Sequence, residues 1–480
     1  MLKLNNDILY LIFNELQDDK KALYSYLTVN KTWCETIVPI LWRNPWNWKR
    51  LKGRKLLLNV IISHLSDESR NNLKIQEIDF LINHYQKPLF NYIRFCRYLN
   101  LSSLNRIISS TIDNNIDKST FWKEILNLFI NENTRLTHLY VPYQFDHQIH
   151  LISGAKLCFS ELEFLSCCTC NGDGVLIGLA EICNSVKELE LVIGNDNNNH
   201  EITKLIKTTK RLFGIRFLAN GNSMNDESFC KILEESLIIH ANSIRYFKMT
   251  KQPATKIISS FVNLNRLELN AIGLKNVTTC LDNLSLPFLQ ILKARCIPIN
   301  VLASLIKNTS GYLIEIKIDY ASHDEINNRN IIQAIYKKCP KLKYLKLLIR
   351  NSNILELENL LINCQCLSRL YIIINNGNYF ESDLLNWDYL FEIITKSSPI
   401  SLFDFKFCFY KAPKLESLKL FLDNWKNRHS MSLKTIHDSF LDSDMDWNNE
   451  HQNLIEKYKA QGIIRNYTHV NFWKIFINSN

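Results

Sequence analysis

One spacing limits this chain more than anything else in it: an apolar residue, two variable residues, a second apolar residue, one variable residue and a third apolar residue. It occurs at Leu136, Leu139, Val141; Leu162, Leu165, Cys167; Val186, Leu189, Leu191; and Leu212, Ile215, Phe217. It continues at Ile244, Phe247, Met249; Leu264, Leu267, Leu269; Leu289, Leu292, Ala294; and Leu313, Ile316, Ile318. The last copies are Leu342, Leu345, Leu347; Leu367, Leu370, Ile372; and Leu402, Phe405, Phe407. Successive first residues lie 26, 24, 26, 32, 20, 25, 24, 29, 25 and 35 positions apart. Most of these intervals fall within the 20 to 29 residue period of leucine-rich repeats. Alternation over the last three apolar positions makes a short strand with one face inward. Between the strands, Val175–Cys183, Glu227–Ile239 and Asn328–Lys338 read as helices. One strand and one helix cannot cover their own apolar faces, whereas stacked copies share a continuous core. The expected fold class is therefore α/β: a solenoid with parallel strands on the concave side and helices on the convex side.

Cys183, Cys339 and Cys364 each stand three residues ahead of a leading apolar position. This resembles the cysteine-containing leucine-rich repeats, in which the thiol is a small buried packing group. The asparagine that usually follows the strand is patchy, present at Asn220 and Asn375 and replaced by Cys170. Weaker copies stand upstream at Ile75, Ile78, Phe80 and at Cys96, Leu99, Leu101, with Lys118–Asn131 as a long convex helix. Downstream, Leu415, Leu418, Leu422 and Trp425 share helical spacing behind Pro413, so that stretch reads as a helix. Leu454, Ile455 and Tyr458, with Gly462 as a stop, predict a terminal capping helix.

The first forty residues obey another rule. Ile8, Leu11, Ile12 and Leu16 recur at helical spacing behind Asn5, Asn6 and Asp7 as capping residues. Asp18 and Asp19 supply a turn; Leu23, Leu27 and Val29 then suggest a second helix, and Trp33, Ile37, Val38 and Leu41 a third. The stretch resembles the F-box at Leu4, Ile8, Leu9, Ile12, Phe13, Leu16, Asp19, Leu23, Val29, Lys31, Trp33, Leu41 and Trp42. Asn5 stands where that family usually has Pro, and Asn30 where it usually has Cys. The resemblance covers under a tenth of the chain. It implies docking on the Skp adaptor of a cullin-type ubiquitin ligase through Leu4, Asn5, Ile8, Leu9, Ile12, Leu16, Val29 and Trp33. Replacing Leu9 and Ile12 by Asp would then abolish adaptor binding.

The chain thus divides into four regions: an F-box at 1–46, a basic linker and helix at 47–72, a leucine-rich-repeat-like solenoid at 73–448 that is clearest from 136 to 410, and a capping helix and tail at 449–480. Lys49, Arg50, Lys52, Arg54 and Lys55 form a basic run that reads as a solvated linker ahead of a helix at Leu56–Leu65. An apolar content of 46% with 11% aromatics argues for a folded chain. No apolar run is long enough to span a bilayer, and an export signal is missing at Met1, so a soluble cytoplasmic or nuclear chain with reduced cysteines is expected.

Enzymatic and metal readings find little support. Gly172, Gly174 and Gly178 miss the dinucleotide fingerprint by one residue. Cys167 and Cys170 with His147 and His150 offer two ligand pairs for zinc, but Cys167 is an inward repeat position. No phosphate loop and no nucleophile elbow is present. The chain reads as a non-catalytic target receptor without a cofactor.

The residue between the second and third apolar positions of each repeat points away from the core. These residues are Tyr140, Ser166, Glu190, Arg216, Lys248, Glu268, Lys293, Lys317, Lys346, Tyr371 and Lys406. Six are basic and two acidic, with Tyr246 and Tyr344 beside them, so an acidic or phosphorylated target segment suits the stripe. The competing reading is that exposed lysines keep a strand face soluble. The expected function is target recognition in a Skp–cullin–F-box ubiquitin ligase. The alternative is a leucine-rich scaffold, or a nucleic-acid-associated protein, acting outside any ligase. A net charge of +10 over 480 residues is modest for nucleic-acid binding.

Overall fold

A computed structural model describes residues 5–46, 51–74, 87–111, 118–194, 200–219, 227–272, 277–319, 321, 324–374, 385–409, 411–437 and 447–471. Leu4, the repeat copy at Ile75–Phe80, Asn220 and Asn375 lie outside these residues. The chain divides into two compact units, Met1–His240 and Ala241–Asn480.

The first unit opens with three short helices, α1 (Asn6–Glu15), α2 (Lys20–Tyr26) and α3 (Lys31–Trp42). Each begins at a side-chain cap. Asn5 accepts from the Asp7 N–H (3.4 Å), Asp19 from Ala22 (3.1 Å) and Asn30 from Trp33 (2.9 Å). The two asparagines that depart from the F-box pattern thus both start helices, satisfying amides that would otherwise be orphaned. Leu9, Phe13, Leu23, Ile37 and Ile40 close the core of the bundle.

Strands β1 (Tyr98–Asn100), β2 (His138–Tyr140), β3 (Phe164–Cys168), β4 (Glu188–Ile193) and β5 (Gly214–Ala219) then pair in parallel and in sequence order. The second unit repeats the scheme with β6 (Tyr246–Met249), β7 (Arg266–Asn270), β8 (Ile291–Arg295), β9 (Glu315–Asp319), β10 (Tyr344–Leu348), β11 (Arg369–Ile373) and β12 (Asp404–Phe409). All eleven expected repeats carry a strand at the expected place, so the α/β solenoid reading holds. The weak copy at Cys96 carries β1, and the stretch after Pro413 is a helix, Leu415–Asn424. Two further strands continue the series, β13 (Met431–His437) and β14 (Ile464–Asn471), which pair with each other in parallel. Helix Asn449–Ala460 does lie near the end and stops at Gly462, whose φ of 76° is left-handed. Beyond that glycine the chain does not trail off as a tail but enters β14, a further rung of the sheet.

One backbone device recurs from β1 to β5 and again from β6 to β12. The carbonyl just ahead of a strand accepts two N–H groups from the next: Arg97 O from Thr137 and His138 (2.8 and 3.0 Å), and Ile314 O from Lys343 and Tyr344 (2.8 and 3.1 Å). Inward positions such as Leu139, Leu165, Leu189, Leu267, Leu292, Ile316 and Leu345 are wholly buried. Cys183, Cys339 and Cys364 are buried as well, and the Cys364 thiol faces the Cys339 carbonyl at 3.6 Å. Buried asparagines close turns after the strands at two described positions. Asn171 accepts from the Cys168 N–H and donates to Pro142 O, both at 2.8 Å. Asn328 donates to Leu348 O (2.8 Å), accepts from the Arg350 N–H (3.1 Å) and accepts from Asn353 (3.2 Å).

Candidate functional site

Helix α1 has two apolar faces. Leu9 and Phe13 turn inward, while Ile8, Leu11 and Ile12 stand 46%, 63% and 44% exposed. The split follows from helical geometry: positions 9, 13 and 16 share one stripe, and 8, 11 and 12 the other. Leu9 is therefore a core residue, not a docking residue. Trp33 is also drawn inward, edge-on to Phe13 (5.1 Å between centroids) and to Tyr26 (5.6 Å), and Leu16 packs half-buried against the same core. Of the residues assigned to adaptor contact, Ile8, Ile12 and Val29 remain open to solvent, and Asn5 is an exposed cap. Leu11 and Tyr24 are exposed apolar residues that the family pattern did not single out. Leu11 was legible from its place between Ile8 and Ile12.

The strand face brings the predicted stripe into register within each unit. In the first, Tyr140, Ser166, Glu190 and Arg216 stand side by side across four strands. Arg216 bonds Glu188 (2.9 Å) and Glu190 (3.3 Å) and lies over the Phe164 ring (4.9 Å). Beside them Tyr98, His138 and Phe164 form a row of stacked rings. Burial there pulls the His138 pKa down to about 4, against the field of Glu163 and with that of Arg216, so the imidazole is neutral at pH 7.

In the second unit the row runs Lys248, Glu268, Lys293, Lys317, Lys346, Tyr371 and Lys406. It is an ion-pair ladder more than a cationic stripe. Lys293 bonds Glu268 (3.0 Å), Lys317 bonds Glu315 (2.8 Å) and Lys346 bonds Asp319. Lys317 also covers the Tyr344 ring and Lys346 the Tyr371 ring, both at 4.5 Å. Burial alone would raise the Glu268 pKa, but hydrogen bonds from Lys293 and Arg266 hold it below the usual range. The row extends beyond Lys406 to Lys434 and Thr468 on the two strands that the repeat pattern missed.

Burial raises the thiols of Cys96, Cys168 and Cys364 to about 12 and pushes those of Cys167, Cys183 and Cys339 up as well, so they stay protonated and serve as packing groups. No three His, Cys, Asp or Glu side chains gather to hold a metal ion among the described residues, and the Cys167–Cys170 and His147–His150 pairs do not converge. Gly178 makes room for a ring: a Cβ there would sit 2.0 Å from His150 Nδ1. An open groove of about 510 Å³ lies between helix Ser119–Phe129 and the 147–153 turn, lined by Ser119, Thr120, Lys123, Asn127 and His147 among others. No helix among the described residues is long and apolar enough to cross a membrane.

No family model and no curated protein matches the chain. Among solved structures it is similar to a chain in the crystal structure of the Rad7 and Elc1 complex in yeast. That likeness has a TM-score of 0.41 and 12% identity, over 83% of this chain and 92% of that one. It is also similar to the leucine-rich repeat-containing protein LegL7 from Legionella pneumophila, with a TM-score of 0.33 and 13% identity, over 64% of this chain and 91% of that one.

Proposed function

We propose that this chain is the target-recognition subunit of a Skp–cullin–F-box ubiquitin ligase, with α1 docking on the Skp adaptor and the strand face of the repeats holding a target protein. The observation that carries this reading is the second apolar face of α1. A bundle this small has little apolar surface to spare, yet Ile8, Leu11 and Ile12 stand in solvent beside a core that is already closed. Exposed apolar residues grouped on one helix face mark a surface that a partner covers. The order of residues shared with the F-box names the adaptor as that partner. The cullin scaffold would be reached through the adaptor, in the cytoplasm or nucleus. The chain would position its target and leave bond chemistry to others, raising the effective concentration of a target lysine near activated ubiquitin.

The test substitutes the exposed face and spares the core. Ile8→Asp with Leu11→Asp in the full chain is expected to abolish co-purification with a Skp adaptor while thermal unfolding stays unchanged. Normal adaptor binding by that double variant would remove the docking assignment. Leu9→Asp is unsuitable, because a buried charge would unfold the bundle and so remove adaptor binding for an unrelated reason.

A further inference from the structure

Ahead of β7, β8, β9 and β10 the chain makes four turns, 261–265, 281–290, 308–314 and 339–343. They lie side by side: the amides of Gln290 and Ile291 bond Asn265 O, those of Ile314 and Glu315 bond Gln290 O, and those of Lys343 and Tyr344 bond Ile314 O, all within 2.8–3.1 Å. The turns therefore form a rim at the leading ends of these strands, off the strand face. At the position just ahead of the leading apolar residue, repeats of the first unit carry Arg135, Glu161, Ser185 and Arg211, as a turn in water should. Consecutive repeats of the second unit carry Phe288, Tyr312 and Lys341 instead. Phe288 is 50% exposed and Tyr312 43%, with ring centroids 6.3 Å apart, and Val262 stands 48% exposed one turn before them. Lysines frame this apolar line. Lys341 lies over the Tyr312 ring at 5.1 Å, Lys343 follows it, and Lys307 and Lys338 end the helices Ile299–Lys307 and Glu325–Lys338 that lead into the rim. All four are exposed, and none forms an ion pair among the described residues. Asp282 is the one carboxylate in the four turns. Glu315, next after the third turn, is engaged by Lys317 at 2.8 Å, while Asp324 and Glu325 stand at the far end of helix Glu325–Lys338.

We propose that this rim rests on an anionic bilayer surface, with Val262, Phe288 and Tyr312 entering the headgroup boundary and the lysines meeting the lipid charges. Helix dipoles account for cations at Lys307 and Lys338. They do not account for Lys341 and Lys343 beyond the helices, nor for large apolar side chains on turn tips. Adjacent turns present those side chains along a common edge, which a flat surface can meet at several turns at once. Aromatic and aliphatic side chains settle at the bilayer interface, and each lysine near an anionic surface adds about fivefold in affinity. Such binding needs no spanning helix, and none is present among the described residues. A nucleic acid fits less well. It could use the lysines and stack on the two rings, but Val262 gives it nothing to stack on.

The test is co-sedimentation of the full chain with vesicles of phosphatidylcholine containing about one quarter phosphatidylserine, against vesicles of phosphatidylcholine alone and a single-stranded oligonucleotide. The expected result is binding to the anionic vesicles only. Lys341→Gln with Lys343→Gln should weaken it at least tenfold, and Phe288→Ser with Tyr312→Ser by a similar factor. As a control, Lys204→Gln with Lys207→Gln removes the same charge from an exposed helix of the first unit and should change binding less than twofold. All these side chains are exposed, so the melting temperature should stay unchanged, which separates loss of the surface from loss of the fold. No binding to the anionic vesicles, equal binding to the neutral ones, preference for the oligonucleotide, or equal weakening by the control pair would each overturn the proposal. Full binding by the Phe288→Ser, Tyr312→Ser chain would overturn it too, because the attraction would then be charge alone.

Discussion

The N-terminal bundle and the repeat array solve the same problem in opposite ways. In the array each strand lends its inward side chains to the repeats on either side, and residues such as Leu292, Ile316 and Leu345 are wholly buried. The bundle has five buried core residues and leaves a comparable set, Ile8, Leu11, Ile12 and Val29, in solvent. Stability in the array is spread over many similar interfaces. In the bundle it rests on a few contacts, and apolar surface is left over in solvent. Where one region buries its hydrophobic residues against its own neighbours, the other leaves some in solvent, on the face proposed to dock the adaptor.

Four measurements sharpen or break this contrast. The largest effect is expected from Leu345→Ala in the array, which should cost about 2–5 kcal/mol by denaturant unfolding. A loss below about 1 kcal/mol would mean that the repeats are not tightly packed there. Asn328→Ala comes next, at about 1–3 kcal/mol, because it strips partners from the Leu348 carbonyl and the Arg350 amide. Asn30→Ala should destabilise the bundle by about 1 kcal/mol. It should be visible as faster amide exchange in α3 with the repeats of the second unit unaffected. If those repeats loosen equally, the two regions are not energetically separate. Smallest is a pH effect. His138 has a folded pKa below its unfolded value, so the unfolded chain binds the extra proton and stability falls as pH drops from about 6.5 towards 4. Glu268, held low in the fold, adds a loss only below its unfolded pKa of about 4.3. His138→Phe should flatten the first part of the stability profile and leave the second; an unchanged profile would rule out His138 as its source.

Much of the array was legible because its signal is local and repeated. A period-2 alternation set at a regular interval can have few other outcomes, and Leu267, Leu292 and Ile316 fell where the spacing put them. β13 escaped notice because Met431, Leu433 and Thr435 alternate without the leading leucine, and β14 because Arg465, Asn466, Thr468 and His469 dilute its apolar positions. On α1 the family pattern hid a distinction that geometry makes plain, since Leu9 and Ile8 are neighbours in sequence and opposites on the helix. The ion-pair ladder could not be read at all. Lys293 meets Glu268 and Glu315 only because strands more than twenty residues apart in sequence fall into one register.

The hydrogen-bond device that joins one strand to the next does not begin with β1. The Arg43 carbonyl, at the end of α3, accepts the Arg97 and Tyr98 amides at 3.0 and 3.1 Å, and the Trp46 indole donates to the Tyr98 carbonyl. To the first strand, the end of the helical bundle is a preceding rung. A protein gripped by α1 would accordingly travel with the opening repeats as one piece, at an angle the chain dictates. Cutting at residue 46 would also cost the first strand its acceptor at Arg43 and leave a raw sheet edge, so a shortened chain that misbehaves would report a missing end plate before it reported a missing docking site.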